Sequence, residues 1–127
     1  MKGNLLIVDD QADIRKLIRM TLEFEGYTLI EAQDGAEALR LANSSKPALM
    51  LLDVMMPGEL DGFQVCEQIK KDPALADTRI VMLTARGQQS DLERGRKAGA
   101  DAYLTKPFSP LELIDTIERL AAMRVRT

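Results

Sequence analysis

Five polar residues are of the types that transfer a phosphoryl group, and each lies beside a short apolar run. They are three aspartates, one threonine and one lysine: Asp9, Asp10, Asp53, Thr84 and Lys106. Clustered carboxylates without histidine or cysteine favour a hard cation, Mg²⁺ above all, with Mn²⁺ or Ca²⁺ as substitutes. A divalent metal and a lysine neutralise phosphoryl oxygens, a hydroxyl donates a hydrogen bond, and a carboxylate attacks phosphorus.

Within this set, Asp53 is the predicted nucleophile, because it follows its apolar run alone. Asp9 and Asp10 are then the predicted metal ligands. Each residue also has a purely structural interpretation, since an aspartate can cap a helix or a turn and Lys106 can form a simple salt bridge. The occurrence of all five beside apolar runs favours the phosphoryl-transfer site.

Five apolar runs predict the β-strands that position these residues. They span residues 5–8, 27–32, 48–52, 80–83 and 102–104. Three of them are continuous rather than alternating, which is typical of strands in a parallel sheet covered on both faces.

Amphipathic segments with helix-boundary signals lie between these runs. The first predicted helix stops at Gly26 as its C′ residue, and Asp34 and Asp61 cap the second and third. Ser90 and Ser109 each precede a glutamate by three residues, so each predicts a capping box, at the start of the fourth and fifth helices.

Five strand-then-helix units with short connections predict a doubly wound α/β fold. The expected sheet is parallel and five-stranded, of order 2-1-3-4-5, with helices on both faces in a flavodoxin-like three-layer arrangement. The carboxyl ends of the strands then share one edge, where Asp9, Asp10 and Asp53 would meet. Two unit charges about 4 Å apart repel by up to roughly 4 kcal/mol at an effective dielectric near 20, so such a cluster favours a bound cation.

The composition excludes several classes of protein. The 127 residues suit one domain, predicted at 1–122 with a short tail at 123–127. The absence of histidine excludes a Ser-His-Asp hydrolase, a histidine-ligated zinc site and a phosphohistidine carrier. The net charge of −3 argues against nucleic-acid binding by bulk electrostatics, and no apolar run is long enough to span a membrane. Cys66, the single cysteine, is predicted to be a core residue in a reducing compartment, the cytoplasm.

The fourth predicted helix carries little apolar surface. Between Gln89 and Ala98 the apolar residues are Leu92 and Ala98, and the internal Gly95 costs about 1 kcal/mol relative to alanine. This helix is expected to be the most mobile one, either as an ordinary exposed helix or as a switching element.

Five short motifs resemble those of the receiver domain of two-component response regulators, over essentially the full chain. They are Leu-Leu-Ile-Val-Asp-Asp at 5–10, Leu-Leu-Asp-Val-Met-Met-Pro-Gly at 51–58, Asp-Gly-Phe at 61–63, Met-Leu-Thr-Ala at 82–85 and Lys-Pro-Phe at 106–108. Each motif alone is a weak signal, and their joint order and spacing is a strong one.

The resemblance implies that a histidine kinase or a histidine phosphotransfer protein phosphorylates Asp53. It implies a magnesium site in which Asp10 binds the ion directly, Asp9 acts largely through water and Met55 contributes its backbone carbonyl.

The resemblance also implies a switch. Thr84 and Lys106 grip the phosphoryl group, Thr84 moves toward it, and the ring of Tyr103 rotates inward. The surface of the fourth helix, fifth strand and fifth helix then changes for a downstream effector. In the family the Lys106–Pro107 peptide bond is commonly cis. The protein is expected to be a monomer, or a dimer that forms on phosphorylation, with no direct contact to nucleic acid. DNA-binding members of the family usually have a second acid before the aromatic residue, and the segment from Asp101 to Tyr103 has only one.

The chain departs from the family pattern between Gly58 and Asp61, where Glu59 and Leu60 make the loop one residue longer. Because this loop borders the predicted metal site, Glu59 is expected either to lie over the site or only to change the outline of the loop.

Three other functions share parts of this pattern. A receiver-like docking module that is never phosphorylated would keep the fold, although the complete set of five residues argues against it. A haloacid-dehalogenase-like phosphatase needs an acid two residues after its nucleophile, where this chain has Met55. A flavodoxin-like electron carrier needs a phosphate-binding turn after the first strand, where Asp9 and Asp10 would repel phosphate.

We predict a long-lived aspartyl phosphate. The family that the chain resembles has two variable positions beside the site that tune hydrolysis of the aspartyl phosphate. Here they hold Met55 and Arg86, and neither side chain orients an attacking water well. The half-life can be measured on protein labelled with a phosphodonor, after the donor is removed. A half-life of seconds would contradict this prediction.

Overall fold

The computed structural model describes residues 2–85 and 89–122, and within them strands and helices alternate. The elements are β1 (Asn4–Val8), α1 (Ala12–Leu22), β2 (Thr28–Ala32), α2 (Gly35–Ser45), β3 (Leu49–Asp53), α3 (Gly62–Lys71), β4 (Arg79–Ala85), α4 (Gln89–Ala98), β5 (Ala102–Lys106) and α5 (Pro110–Ala122). The strands form one parallel sheet in the order β2-β1-β3-β4-β5, which confirms the predicted fold. The predicted tail at 123–127 lies outside the described residues.

Alternate side chains of the sheet enter two separate cores, which explains the continuous apolar runs. On β1, Leu6 and Val8 pack toward the layer that contains α2 and α3, whereas Leu5 and Ile7 pack toward α1 and α5. Successive side chains of a strand point to opposite faces, so both sets must be apolar when helices cover both faces. All four of these side chains are fully buried.

Three predicted helix N-caps are confirmed. Asp34 accepts a hydrogen bond at 2.8 Å from the backbone N–H three residues later. Asp61 and Gln64 form a complete capping box, with two reciprocal hydrogen bonds of 2.9 Å. Ser109 and Glu112 form another, with both hydrogen bonds at 3.1 Å. Each box satisfies backbone donors that the first helical turn leaves unpaired.

Two predicted helix boundaries were wrong. α1 ends at Leu22, and Gly26 lies in the turn before β2, where its φ of 92° uses the left-handed conformation that glycine adopts readily. α4 begins at Gln89, so Ser90 lies inside the helix rather than before it. Glutamine is itself a good helix former, which explains the earlier start.

β4 and β5 extend further than their apolar runs. Their backbones stay paired beyond Leu83 and Leu104, with Thr84 opposite Thr105 and Ala85 opposite Lys106. Because backbone hydrogen bonds pair the strands, polar residues can extend a strand beyond its apolar run. Lys106 is therefore the last residue of β5, not a residue that follows the strand.

Few apolar side chains hold α4 to the rest of the protein. Its buried residues are Gly95 and Ala98, and Leu92 is 39% exposed. The Cys66 thiol of α3 donates a hydrogen bond to the carbonyl of Ala98 at 3.5 Å. Burial raises the pKa of this thiol to about 11, so it stays protonated, as expected for a core cysteine. The mobility of α4 stays a prediction.

No helix in the described part of the chain has the length and apolar character needed to span a bilayer.

We expect Gly62→Ala to lower the free energy of unfolding by about 2 kcal/mol or more. A Cβ at residue 62 would lie 2.2 Å from the carbonyl oxygen of Asp53, and this backbone atom cannot rotate away. Urea unfolding followed by circular dichroism measures the loss. The control is Gly58→Ala, where a Cβ meets nothing within 4 Å and only the φ of +98° costs about 1–2 kcal/mol. A loss in Gly62→Ala no larger than in the control would contradict a steric origin.

Candidate functional site

The order of the sheet brings three carboxylates together at one edge. β1 and β3 are neighbours, with Val8 opposite Leu52, so the next residues along these strands, Asp9 and Asp53, are adjacent. Asp10 follows Asp9 in the turn after β1. Carboxylate oxygens of Asp9, Asp10 and Asp53 all lie within 4.8 Å of one another. The predicted meeting of these acids is therefore present in the structure.

Lys106 supplies a positive charge between two of the acids. Its Nζ donates a hydrogen bond to Asp9 Oδ2 at 2.8 Å and lies 3.4 Å from Asp53 Oδ2. Burial alone would lower the pKa of Lys106. The hydrogen bond to Asp9 and the charges of Asp53 and Asp9 outweigh burial and raise the pKa, so the amine stays charged.

Asp53 is unfavourably placed for ionisation. Burial, and then the charge of Asp9, raise its pKa from 3.8 to about 6, although Lys106 and the backbone N–H of Met55 act in the opposite direction. That N–H donates to Asp53 Oδ1 at 3.2 Å. The single lysine therefore does not fully compensate the negative charge at this edge.

The donor set fits a magnesium ion. It consists of carboxylate oxygens, which hard divalent cations prefer, with no histidine or thiolate among them. Asp9 and Asp53 are buried while Asp10 is exposed, so water can reach the cluster and complete the coordination shell. Met55 is 72% exposed, and the contribution of its carbonyl to the metal stays a prediction.

Thr84 lies on β4, the neighbour of β3 in the sheet, and Tyr103 lies on β5, the next strand out. Thr84 is buried and follows Leu83, the residue of β4 that pairs with Asp53. The ring of Tyr103 packs against Gly95 of α4, where an added Cβ would lie 2.7 Å from Tyr103 Cε1. The Tyr103 hydroxyl is buried and has no hydrogen-bond partner among the described residues. The Lys106–Pro107 bond is cis, as the resemblance implied.

The lengthened loop adds no carboxylate to the acidic cluster. Glu59 is exposed and is not a member of the carboxylate cluster. Leu60 is half-buried against the core. It lies close to Gly35, where an added Cβ would be 2.7 Å from the Leu60 Cβ. The effect of the extra residue on the outline of the loop stays a prediction. Arg86, the other variable position, lies outside the described residues.

Sequence reasoning missed two arginines near the site. The guanidinium of Arg15 on α1 donates a hydrogen bond to the backbone carbonyl of Asp9 at 2.6 Å. Arg94 of α4 lies 4.1 Å from the centre of the Phe63 ring and lines a cavity of about 510 Å³ that also touches Asp10. The only local sequence signal for the role of Arg15 is that a basic residue follows shortly after the pair Asp9 and Asp10. The position of Arg94 near the site is evident only from the tertiary structure.

Comparison with known proteins decides the family. The family model described as "Response regulator receiver domain" matches residues 5–118. The chain belongs to this family. The receiver domain is 43% identical over 123 residues to the phosphate regulon transcriptional regulatory protein PhoB of Pseudomonas aeruginosa, covering 97% of this chain and 52% of that protein. It is 46% identical over 116 residues to the transcriptional regulatory protein ResD of Bacillus subtilis, covering 91% and 47%.

Solved structures agree with this assignment. The chemotaxis protein CheY4 of Vibrio cholerae superimposes with a TM-score of 0.86 at 33% identity, covering 93% of this chain and 98% of that one. The receiver domain of NtrX from Brucella abortus gives the same score and identity, covering 95% and 100%. The chain spans about half the length of the curated relatives that it matches.

We expect Asp53→Asn to raise the free energy of unfolding by about 1–3 kcal/mol near neutral pH when divalent cations are chelated. The folded-state pKa of about 6 lies above 3.8, so the charge on Asp53 costs stability, and this cost grows as pH rises through about 6. In saturating MgCl₂ the order should reverse, because the parent offers the ion three carboxylates and the variant two. Urea unfolding with and without the metal measures both effects.

The matched control for this comparison is Asp77→Asn, an exposed acid at the opposite edge of the sheet. It should leave stability unchanged in both conditions. A parent protein more stable than Asp53→Asn in the absence of divalent cations would show that Lys106 already compensates the acids.

Proposed function

We propose that Asp53 of this receiver domain accepts a phosphoryl group from a sensor histidine kinase or a histidine phosphotransfer protein, in a reaction that requires Mg²⁺. One observation supports this above the others: Lys106 lies 2.8 Å from Asp9 and 3.4 Å from Asp53 inside a cluster of three acids. A simple salt bridge needs one acid, and the excess of carboxylates at a solvent-accessible edge suits a metal and a phosphoryl group.

In the proposed transfer, a carboxylate oxygen of Asp53 forms a bond to phosphorus. The bond from phosphorus to the donor imidazole nitrogen breaks, and its electron pair stays with the imidazole. Mg²⁺ held by Asp9, Asp10 and Asp53, with the Met55 carbonyl as a further ligand, would offset the charge of the phosphoryl oxygens. Apolar and charged residues line the cavity beside Asp10 and Met55, which would leave room for the phosphoryl donor to approach this side of the site.

Two further side chains would hold the transferred group. The Lys106 amine remains charged and already contacts both Asp9 and Asp53. A small movement would therefore bring it from Asp9 to an oxygen of a phosphoryl group on Asp53. Thr84 is on the strand adjacent to β3 and would donate its hydroxyl to another phosphoryl oxygen.

The proposed output is a change in the surface formed by α4, β5 and α5. Thr84 on β4 would couple the phosphoryl group to Tyr103 on β5, and the ring of Tyr103 contacts Gly95 of α4. Because few apolar side chains hold α4, a change in this contact can shift the helix at low cost. An effector protein or output domain would recognise the altered surface.

This role is that of a signalling domain rather than an enzyme with a substrate to turn over. We infer a cytoplasmic protein, monomeric or dimerising on phosphorylation, that contacts protein partners and neither nucleic acid nor membrane. The relatives that extend beyond the matched region are described as transcriptional regulators, so an output of that kind belongs to them and is open for this chain.

Incubation with MgCl₂ and acetyl phosphate tests the acceptor. Intact-mass spectrometry should show one phosphoryl adduct on the parent protein and none on Asp53→Asn. No adduct should form on the parent protein when EDTA replaces MgCl₂, because the acids then hold no cation.

Asp13→Asn is the matched control, since Asp13 is an exposed acid in the first turn of α1, near the site in sequence. It should accept the phosphoryl group as the parent does. An adduct on Asp53→Asn would place the acceptor elsewhere. No adduct on the parent, and no complex with beryllofluoride, would favour a docking module that is never phosphorylated.

A further inference from the structure

We propose that Arg15 is a positioning residue for the metal site: it holds the peptide group between Asp9 and Asp10 and thereby orients the Asp10 carboxylate. The inference rests on the proposed function, because it concerns the same magnesium site. It assigns a role in metal binding to a side chain that touches neither the metal position nor the acceptor.

The contacts of Arg15 connect α1 to the residue that follows β1 and to β2. Its Nη1 donates to the Asp9 carbonyl oxygen at 2.6 Å, and its Nε donates to Glu31 Oε1 at 3.0 Å. The Arg15 side chain is largely buried. A charged guanidinium that is fixed by an ion pair at one end makes a strong, well-directed hydrogen bond at the other.

Asp9 is fully constrained by its neighbours. Its backbone N–H donates to the carbonyl of Ala32 at 3.1 Å, and its two carboxylate oxygens accept from the backbone N–H of Gln11 and from Lys106. The carbonyl oxygen is the remaining polar atom, and Arg15 is its partner.

Asp10 has no comparable constraint of its own. In the described ranges 2–85 and 89–122, its carboxylate has no hydrogen-bond or ion-pair partner, and the residue is exposed. The Asp9 carbonyl and the Asp10 N–H belong to one planar peptide group, so fixing the carbonyl fixes the plane from which the Asp10 side chain extends. The direction of the Asp10 carboxylate therefore depends on Arg15.

Glu31 makes this use of a cation compatible with a metal site. An unpaired guanidinium near the acids would repel a divalent cation, whereas the carboxylate of Glu31 pairs with Arg15 and offsets part of its charge. The same carboxylate also lies 3.5 Å from Arg19 Nε. Glu31 thus anchors two arginines, of which only Arg15 reaches the Asp9 carbonyl.

Arg19 provides the matched control. It shares Glu31 with Arg15 and contacts the carbonyl of Leu29, again at 3.5 Å, but it makes no contact with Asp9. If Arg15 only fastens α1 to β2, Arg15→Met and Arg19→Met should differ in stability alone. If Arg15 orients Asp10, only Arg15→Met should weaken metal binding.

The experiment measures binding of Mn²⁺ by electron paramagnetic resonance, with Mg²⁺ as competitor, on the parent and the two methionine variants. We expect the Kd for Mg²⁺ to rise by about tenfold in Arg15→Met, the lower end of the effect of groups that orient metal ligands. It should stay within about twofold of the parent in Arg19→Met. Arg15→Lys should recover part of the affinity, because an ammonium can still donate to the Asp9 carbonyl.

Urea unfolding in EDTA separates metal binding from folding. An equal rise of Kd in the Arg15→Met and Arg19→Met variants, or an unchanged Kd in Arg15→Met, would overturn the positioning role and leave the proposed function intact. Absence of Mn²⁺ and Mg²⁺ binding by the parent would overturn the proposed function and this inference together. If Arg15→Met does not fold, Arg15→Gln takes its place, because the shorter neutral amide lacks the reach and charge of the guanidinium. A Kd for Arg15→Gln equal to that of the parent would then overturn the inference.

Discussion

Repulsion among three carboxylates at one edge of the sheet is the constraint on which the rest of the structure depends. The order of the strands makes Asp9 and Asp53 neighbours, and the turn after β1 adds Asp10. Lys106 reaches this edge from β5 but brings one charge to three acids, and the pKa of Asp53 stays raised. The site therefore favours whatever adds positive charge, and this preference is what a magnesium-dependent phosphoryl acceptor requires.

The surrounding structure keeps these acids from separating. Gly62 lies directly beneath the end of β3, where any side chain would collide with the Asp53 carbonyl. The capping box of Asp61 and Gln64 fixes the start of α3 at the same place. Leu60 anchors the lengthened loop to Gly35 at the start of α2. Close packing thus converts an electrostatically costly arrangement into a fixed geometry.

The features that could be predicted from sequence are those encoded locally. Apolar runs revealed the parallel strands, the aspartate and serine caps revealed three helix starts, and strand topology alone grouped Asp9 with Asp53. Ser90 shows the limit of such signals, since the same local pattern lies inside a helix that begins earlier. The Arg15–Asp9 and Tyr103–Gly95 contacts could not be predicted, because they depend on the angle and distance at which whole elements pack.

The buried hydroxyl of Tyr103 has an energetic consequence for the proposed switch. Away from water and without a partner among the described residues, it forgoes hydrogen bonds worth about 1–3 kcal/mol. The ring also packs closely beside Gly95 of α4, where an added Cβ would lie 2.7 Å from Tyr103 Cε1. In the proposed switch, a ring that forgoes a hydrogen bond in this position costs correspondingly less to move out of it. The proposed signal would therefore have less to overcome at Tyr103 than at a ring whose hydroxyl is hydrogen-bonded.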